Sequence, residues 1–277
     1  MKVLSIGNSF AGNTNFFMEE LMAAARIEGY VKGLVGIGGC SLEKHWNLHE
    51  QWLLQKNVRH HGFSRSGKEP LTASIMDALL AETWDVVTFQ QASPQSWKAE
   101  TYEPWLGKLV ELVRLHQPQA RLAILQTWAY RSDCRLMKQW GITQESMYAD
   151  ITKAVADSAS RHDLEIVPVG KAIQAARAAF PYRADCDFDY ANPPLLSLPD
   201  QKNSFVQGYS WFFGGNDDGR AAFNLDAKHL NDKGCLVAGC TMYQFLTGRS
   251  PVDNPFVPMN VDKEMVEALK QVVATVH

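Results

Sequence analysis

Five short apolar runs, at residues 3–6, 30–35, 84–91, 120–128 and 165–170, recur along the chain with helix-like stretches between them. The runs are apolar throughout rather than alternating, as strands buried on both faces must be. The intervening segments 14–28, 71–82, 102–116, 144–162, 171–180, 232–246 and 261–276 carry helical spacing, with Phe16, Phe17, Leu21, Met22 and Ala25 marking the first. Thr14 or Asn15 is the expected N-cap of that first helix and Gly29 its stop. Strands alternating with helices imply a parallel sheet covered on both faces, joined by right-handed crossovers. The expected fold class is therefore α/β, a three-layer α/β/α sandwich around a central parallel five-stranded sheet. No repeat or low-complexity linker divides the 277 residues, so residues 1–277 are expected to form a single domain.

Two stretches break the rhythm. Residues 40–70 hold His45, Trp46, His49, Trp52, His60 and His61; residues 181–226 hold Tyr182, Tyr190, Phe205, Tyr209, Trp211, Phe212 and Phe213. Both are expected as long loops beside the active site, since connections of that length in a domain are usually functional. His45 and His49 lie one helical turn apart, but no cysteine and no H-E-x-x-H accompanies them, so surface helix histidines are expected and no metal site.

Composition excludes several classes of function. A net charge of −3 without a Lys/Arg block argues against nucleic-acid and anionic-membrane partners. No apolar run approaches bilayer length. Cys40, Cys134, Cys186, Cys235 and Cys240 are scattered without a C-x-x-C pair, which reads as free thiols in a reducing compartment. The first strand begins too early to be a signal peptide, so a cytoplasmic location is expected, although a chain trimmed of a secretory leader would read the same. The segment "GLVGIGG" is not a G-x-G-x-x-G fingerprint, and no dinucleotide or other cofactor is expected.

Open parallel sheets bind ligands beyond the carboxyl ends of their strands. Gly7-Asn8-Ser9, Gly36-Ile37-Gly38-Gly39, Gln90-Gln91 and Gln126-Thr127-Trp128 fall there. Near the other end of the chain, "LDAKHLND" brings Asp226 and His229 together, three residues apart, in the only D-x-x-H of the sequence. Singly, these are a turn, a tight backbone path, a strand end and a helix cap. Together they supply a serine, a base, an acid to orient the base, and amides to hold an oxyanion.

On these residues the sequence resembles the SGNH (GDSL-like) hydrolases, over nearly its whole length. "GNSF" stands where that family's "GDS" block stands, directly after the first strand. "GIGGCSL" resembles the second block and "DAKH" the last. A "DVVT-x-QQ" strand and the ending His229-Leu230, Gly234, Ala238-Gly239-Cys240 and Tyr243-Gln244-Phe245-Leu246-Thr247-Gly248 place it with an uncharacterised SGNH-like branch. The resemblance implies a flavodoxin-like fold and a serine esterase with Ser9 as nucleophile, His229 as base and Asp226 as acid. It implies an oxyanion hole of the Ser9 and Gly39 amides with a side-chain amide. This sequence departs from the family by having Asn8 for the usual aspartate and "TFQQAS" for Gly-x-Asn in the third block. Gln90 is the matching position for that third donor, with Gln91 beside it as the alternative.

The aromatic and polar side chains of the two long stretches suit stacking on sugar rings, and an aliphatic lining would suit a lipid. The expected substrate is an acetylated carbohydrate or similar small ester, lined by Asn8, Gln126, Trp128 and Trp211. Two other readings stay open on sequence: a non-catalytic carbohydrate-binding protein keeping the fold, and an acyltransferase using the same triad. The sequence is silent on oligomeric state.

Overall fold

Val3 to Gly7 are buried one after another, which fixes β1 (Lys2–Gly7) in the middle of a sheet. In the computed structural model, which describes residues 1–213 and 221–276, α1 (Ser9–Thr14) and α2 (Met18–Ala24) follow it and lead to β2 (Val31–Gly36). Next come α3 (Leu42–Leu54), β3 (His61–Arg65), β4 (Lys68–Ala73), α4 (Ile75–Leu80), β5 (Val86–Phe89), α5 (Trp105–His116) and β6 (Arg121–Leu125). They are followed by α6 (Arg135–Trp140), α7 (Gln144–His162), β7 (Glu165–Val167) and α8 (Val169–Ala179). The chain closes with β8 (Val206–Phe212), β9 (Ala222–Leu230), α9 (Asp232–Thr247) and α10 (Lys263–Ala274).

The main sheet runs β4-β3-β2-β1-β5-β6-β7. Its β2-β1-β5-β6-β7 portion is parallel, with Leu4 beside Gly33 on one side and Val87 on the other. Helices α1, α2, α8, α9 and α10 pack together on one face, and α3, α4, α5 and α7 on the other. Strand order reverses at β1, so the switch point where such sheets bind ligands is the crevice between the ends of β1 and β5. Gly7-Asn8-Ser9 and Gln90 lie at that crevice. Inside β1, Ser5 is a buried polar exception; its hydroxyl accepts hydrogen bonds from Thr88 Oγ1 (3.1 Å) and Asn15 Nδ2 (3.0 Å).

The five parallel strands agree with expectation, but the sheet has seven. The additional antiparallel hairpin β3–β4 comes from 40–70, expected as a loop. It carries no apolar run because it lies at the sheet edge, where β4 leaves all but Ala73 exposed and where Pro70 costs no ladder partner. The predicted helix 71–82 is split for the same reason, its first residues belonging to β4 before a Ser74/Asp77 capping box starts α4. The expected helix 14–28 begins instead at Ser9, with Asn8 as N-cap, and breaks at Asn15 before α2. Asn15 Nδ2 bonds Ala11 O and Ser5 Oγ, a side chain competing with helix continuation. The end of 181–226 is the two-stranded ribbon β8–β9, though 214–220 fall outside the described residues. Among the described residues no helix is long and apolar enough to cross a membrane.

Candidate active site

Asn8 makes the turn after β1. Its Oδ1 accepts from Phe10 N (3.0 Å), the N-cap bond of α1, and from Gln90 Nε2 (2.7 Å). Its Nδ2 donates to Cys40 O (3.0 Å), tying the "GIGGCS" loop to the start of α1. Gly36 must be glycine here: a Cβ on it would sit 2.4 Å from Gly7 O. Ile37 to Cys40 form a turn closed by Cys40 N to Ile37 O (3.1 Å), and Gly39 takes φ +65°, as its third position requires. Ser9 thereby becomes the first helical residue, its N–H lying where no intrahelical acceptor exists.

The Ser9 hydroxyl lies 2.8 Å from His229 Nε2, across 220 positions of sequence. His229 Nδ1 lies 2.7 Å from Asp226 Oδ2, and Asp226 Oδ1 accepts from the backbone N–H of Lys228 (3.1 Å) and His229 (3.0 Å). Burial alone would raise the Asp226 carboxyl. The hydrogen bonds from the His229 side chain and from the two backbone amides outweigh it and bring the group down to about 2. Asp226 is thus a carboxylate at neutral pH. It fixes the proton of His229 on Nδ1 and leaves Nε2 to accept from the serine.

Several contacts hold β9 in place. Leu230 N donates to Asn13 Oδ1 (3.1 Å), Arg131 N to Ala227 O (2.9 Å), and Trp128 Nε1 to Lys228 O (2.8 Å). The Trp128 ring stacks on Phe10 with centroids 4.0 Å apart, and the Phe10 and His229 rings meet in a T-shaped contact. Asn13 was not among the expected residues. It lies four positions after Ser9 on the same helix face, a spacing the sequence does display.

The two glutamines do other work than expected. Both N–H groups of Gln90 are spent, on Asn8 Oδ1 and Gln91 O (3.2 Å). Both partners are acceptors, which fixes the amide's orientation. Gln91 donates to Thr101 O and Thr101 Oγ1, and its Oε1 accepts from Leu42 N and Ala92 N. Neither amide has a hydrogen left for an oxyanion. Of the expected lining residues, Asn8 borders a groove of about 340 Å³ together with Ser9, Leu34, Ile37, Phe63 and Pro70. Gln126 does not; it joins Thr152 Oγ1 to Lys171 N, pinning α7 to α8. Trp128 is fully buried as a prop under β9. Trp211 packs on Phe223 in the ribbon and donates to Ser197 O, outside that groove.

The histidines of α3 correct a further expectation. His45 and His49 are buried rather than at the surface. His45 Nε2 lies 3.0 Å from Gly7 O, and His45 Nδ1 3.0 Å from His61 Nε2. Because the carbonyl can only accept, His45 donates from Nε2 and its Nδ1 accepts from His61. Burial pushes the thiols of Cys40, Cys235 and Cys240 up to about 12, leaving them protonated.

This architecture is shared with solved hydrolase structures. A protein of Slackia heliotrinireducens assigned to the SGNH hydrolases superposes with a TM-score of 0.55 at 18% identity, over 89% of this chain and 98% of that one. The acetyl xylan esterase AlAXEase does so with a TM-score of 0.51 at 12% identity, over 89% and 100%. The fold is that of the SGNH/GDSL-like hydrolases. The chain belongs to the family described as "Domain of unknown function (DUF4886)", whose model matches residues 2–191. A DUF4886 family protein from Bacteroides uniformis ATCC 8492 is similar over 99% of this chain and 93% of its own, at 28% identity and a TM-score of 0.78. No curated protein matches the chain.

Proposed function

We propose that the protein is a serine ester hydrolase working through an acyl-enzyme on Ser9. The observation that carries this reading is the 2.8 Å and 2.7 Å relay from Ser9 through His229 to Asp226. Ser9 Oγ attacks the ester carbonyl as its proton passes to His229 Nε2; His229 then returns that proton to the departing alcohol oxygen. Water, deprotonated by the same nitrogen, attacks the acyl carbon, and His229 returns that proton to Ser9 Oγ as the acid leaves. Asp226 stays ionised and stabilises the imidazolium. The N–H groups of Ser9 and Gly39 are the proposed oxyanion donors. Gln90 acts through Asn8, as a positioning residue.

The groove beside Ser9, walled by Leu34, Ile37, Phe63 and Pro70, suits a short acyl group. A second cavity of about 700 Å³ borders Asp226 and is lined by Tyr190, Tyr209, Phe223, Asn224 and Lys228, rings and polar groups that suit a sugar alcohol. The acetyl xylan esterase of like fold is consistent with the substrate we favour, an acetylated carbohydrate. Intact-mass spectrometry after fluorophosphonate treatment tests the chemistry. Wild type is expected to gain one adduct and Ser9→Ala none, with 4-nitrophenyl acetate turnover falling about 10⁴-fold or more. An adduct that persists on Ser9→Ala, or a wild type that neither labels nor turns over, overturns the proposal. Faster release of acetate than of longer acyl groups from sugar esters is the result expected for the substrate class.

A further inference from the structure

A cavity of about 200 Å³ lies behind β8, lined by Arg131, Gln144, Glu145, Arg177, Tyr182 and Ser204 among others. Its two arginines are unequally provided for. Arg131 is well provided for: it forks onto Asp133 (2.8 Å to each oxygen), donates from Nη1 to Ser204 Oγ (3.0 Å), and stacks on the Tyr182 ring at 4.2 Å. Asp133 is thus its paired counterion. Arg177 donates from Nη1 to Ala129 O (2.8 Å), but its Nη2 is buried with no hydrogen-bond partner. Glu145 borders the same cavity from the exposed first turn of α7, yet supplies no acceptor to that nitrogen.

A buried guanidinium N–H without an acceptor is costly, and a planar fork with an open end suits an oxyanion. We infer that this cavity is a binding site for a small oxyanion, a phosphate or carboxylate group held by Arg177 Nη2. Burial, reinforced by the Arg131 charge, draws the Arg177 group down to about 10, as expected for a cation whose counterion must come from outside. Glu145 is the one opposing charge that lines the cavity among the described residues. This site is separate from Ser9, and its reading does not depend on ester hydrolysis.

The test is thermal unfolding and calorimetric titration of the whole protein with sodium phosphate, sulfate and acetate, against sodium chloride at matched ionic strength. A saturable, anion-specific rise in Tm is expected, since a ligand that binds only the folded state stabilises it. Non-specific salting would instead rise without saturation and persist in variants. Arg177→Gln is expected to lose roughly ten- to a hundredfold in phosphate affinity, the scale of a hydrogen-bonded charge. Glu145→Gln removes the opposing charge from an exposed position and is expected to tighten binding. It decides the matter if Arg177→Gln fails to fold. Preference for phosphate and sulfate over acetate identifies a tetrahedral group; the reverse identifies a carboxylate. No saturable effect in wild type, or equal binding in Arg177→Gln, or a Glu145→Gln affinity unchanged from wild type, overturns the inference.

Discussion

Asn8 spends its side chain on three partners, none of them substrate: the amide of Phe10, the amide of Gln90 and the carbonyl of Cys40. Asn8→Ala removes an N-cap and strands the other two groups in a buried setting. The expected cost is on the order of 2 kcal/mol in urea unfolding, combining the usual loss of a cap with that of buried hydrogen bonds. A change under roughly 0.5 kcal/mol, typical of a neutral surface site, contradicts this account of the turn. At this scale, residue type was informative and direction was not. Ser9, Asp226 and His229 were legible because each lies in a sequence block that resembles one of the SGNH hydrolases, and the structure brings the three within hydrogen-bond reach. Gln90, Gln126 and Trp128 also sit at strand ends, where a site is expected. Whether an amide or indole there faces outward depends on partners such as Thr152 and Lys228, 26 and 100 positions away, which no local pattern reveals.

At the level of elements, α3 and β3 meet the nucleophile turn through the His61–His45–Gly7 chain. Protonating His45 would put a second donor, on its Nδ1, against the His61 Nε2–H in a buried space. Burial, with the neighbouring His61 and Lys44 charges, brings His45 down to about 3, and burial with His60 and Lys44 brings His61 to about 4. An unfolded histidine takes up its proton near 6.5. Between roughly pH 6.5 and 4 the unfolded chain therefore binds more protons than the folded one, and acid favours unfolding. Stability is full above that window and falls through it by about 1.4 kcal/mol per pH unit for each histidine. His45→Gln retains a donor for Gly7 O and an acceptor for His61 without titrating. It is expected to flatten the slope by about that amount per unit in urea melts from pH 4 to 7. A variant as acid-sensitive as wild type would remove the pair from the account. The sequence concealed this arrangement because a helix with histidines one turn apart reads as amphipathic surface. What covers that face, His61 of the edge hairpin and the packing of α3 on α5, comes from outside α3's own pattern.

Across the whole molecule, the two halves of the candidate site come from opposite ends of the chain. Ser9 follows the central strand, whereas Asp226 and His229 sit on β9, whose one strand partner among the described residues is β8. A two-stranded ribbon has little stability alone, so its order must come from what it rests on. That support is extensive: Leu230 is fully buried and bonded to Asn13 of α1, Ala227 O and Lys228 O are held by the segment after β6, and α9 follows at once with a nearly continuous buried surface. Helix α9 packs on α1, α2, α8 and α10, so His229 cannot leave Ser9 without disturbing the face that covers the sheet. Local opening belongs to regions with few buried contacts, and the end of β9 is not one of them. The expected outcome in urea is therefore a single transition. Loss of fluorophosphonate labelling at Ser9 should share its midpoint with the fluorescence change of buried Trp84 and Trp128. If labelling disappears well below the fluorescence midpoint, β9 opens as a separate unit. The coupling of the site to the core through Asn13 and Leu230 would then be wrong.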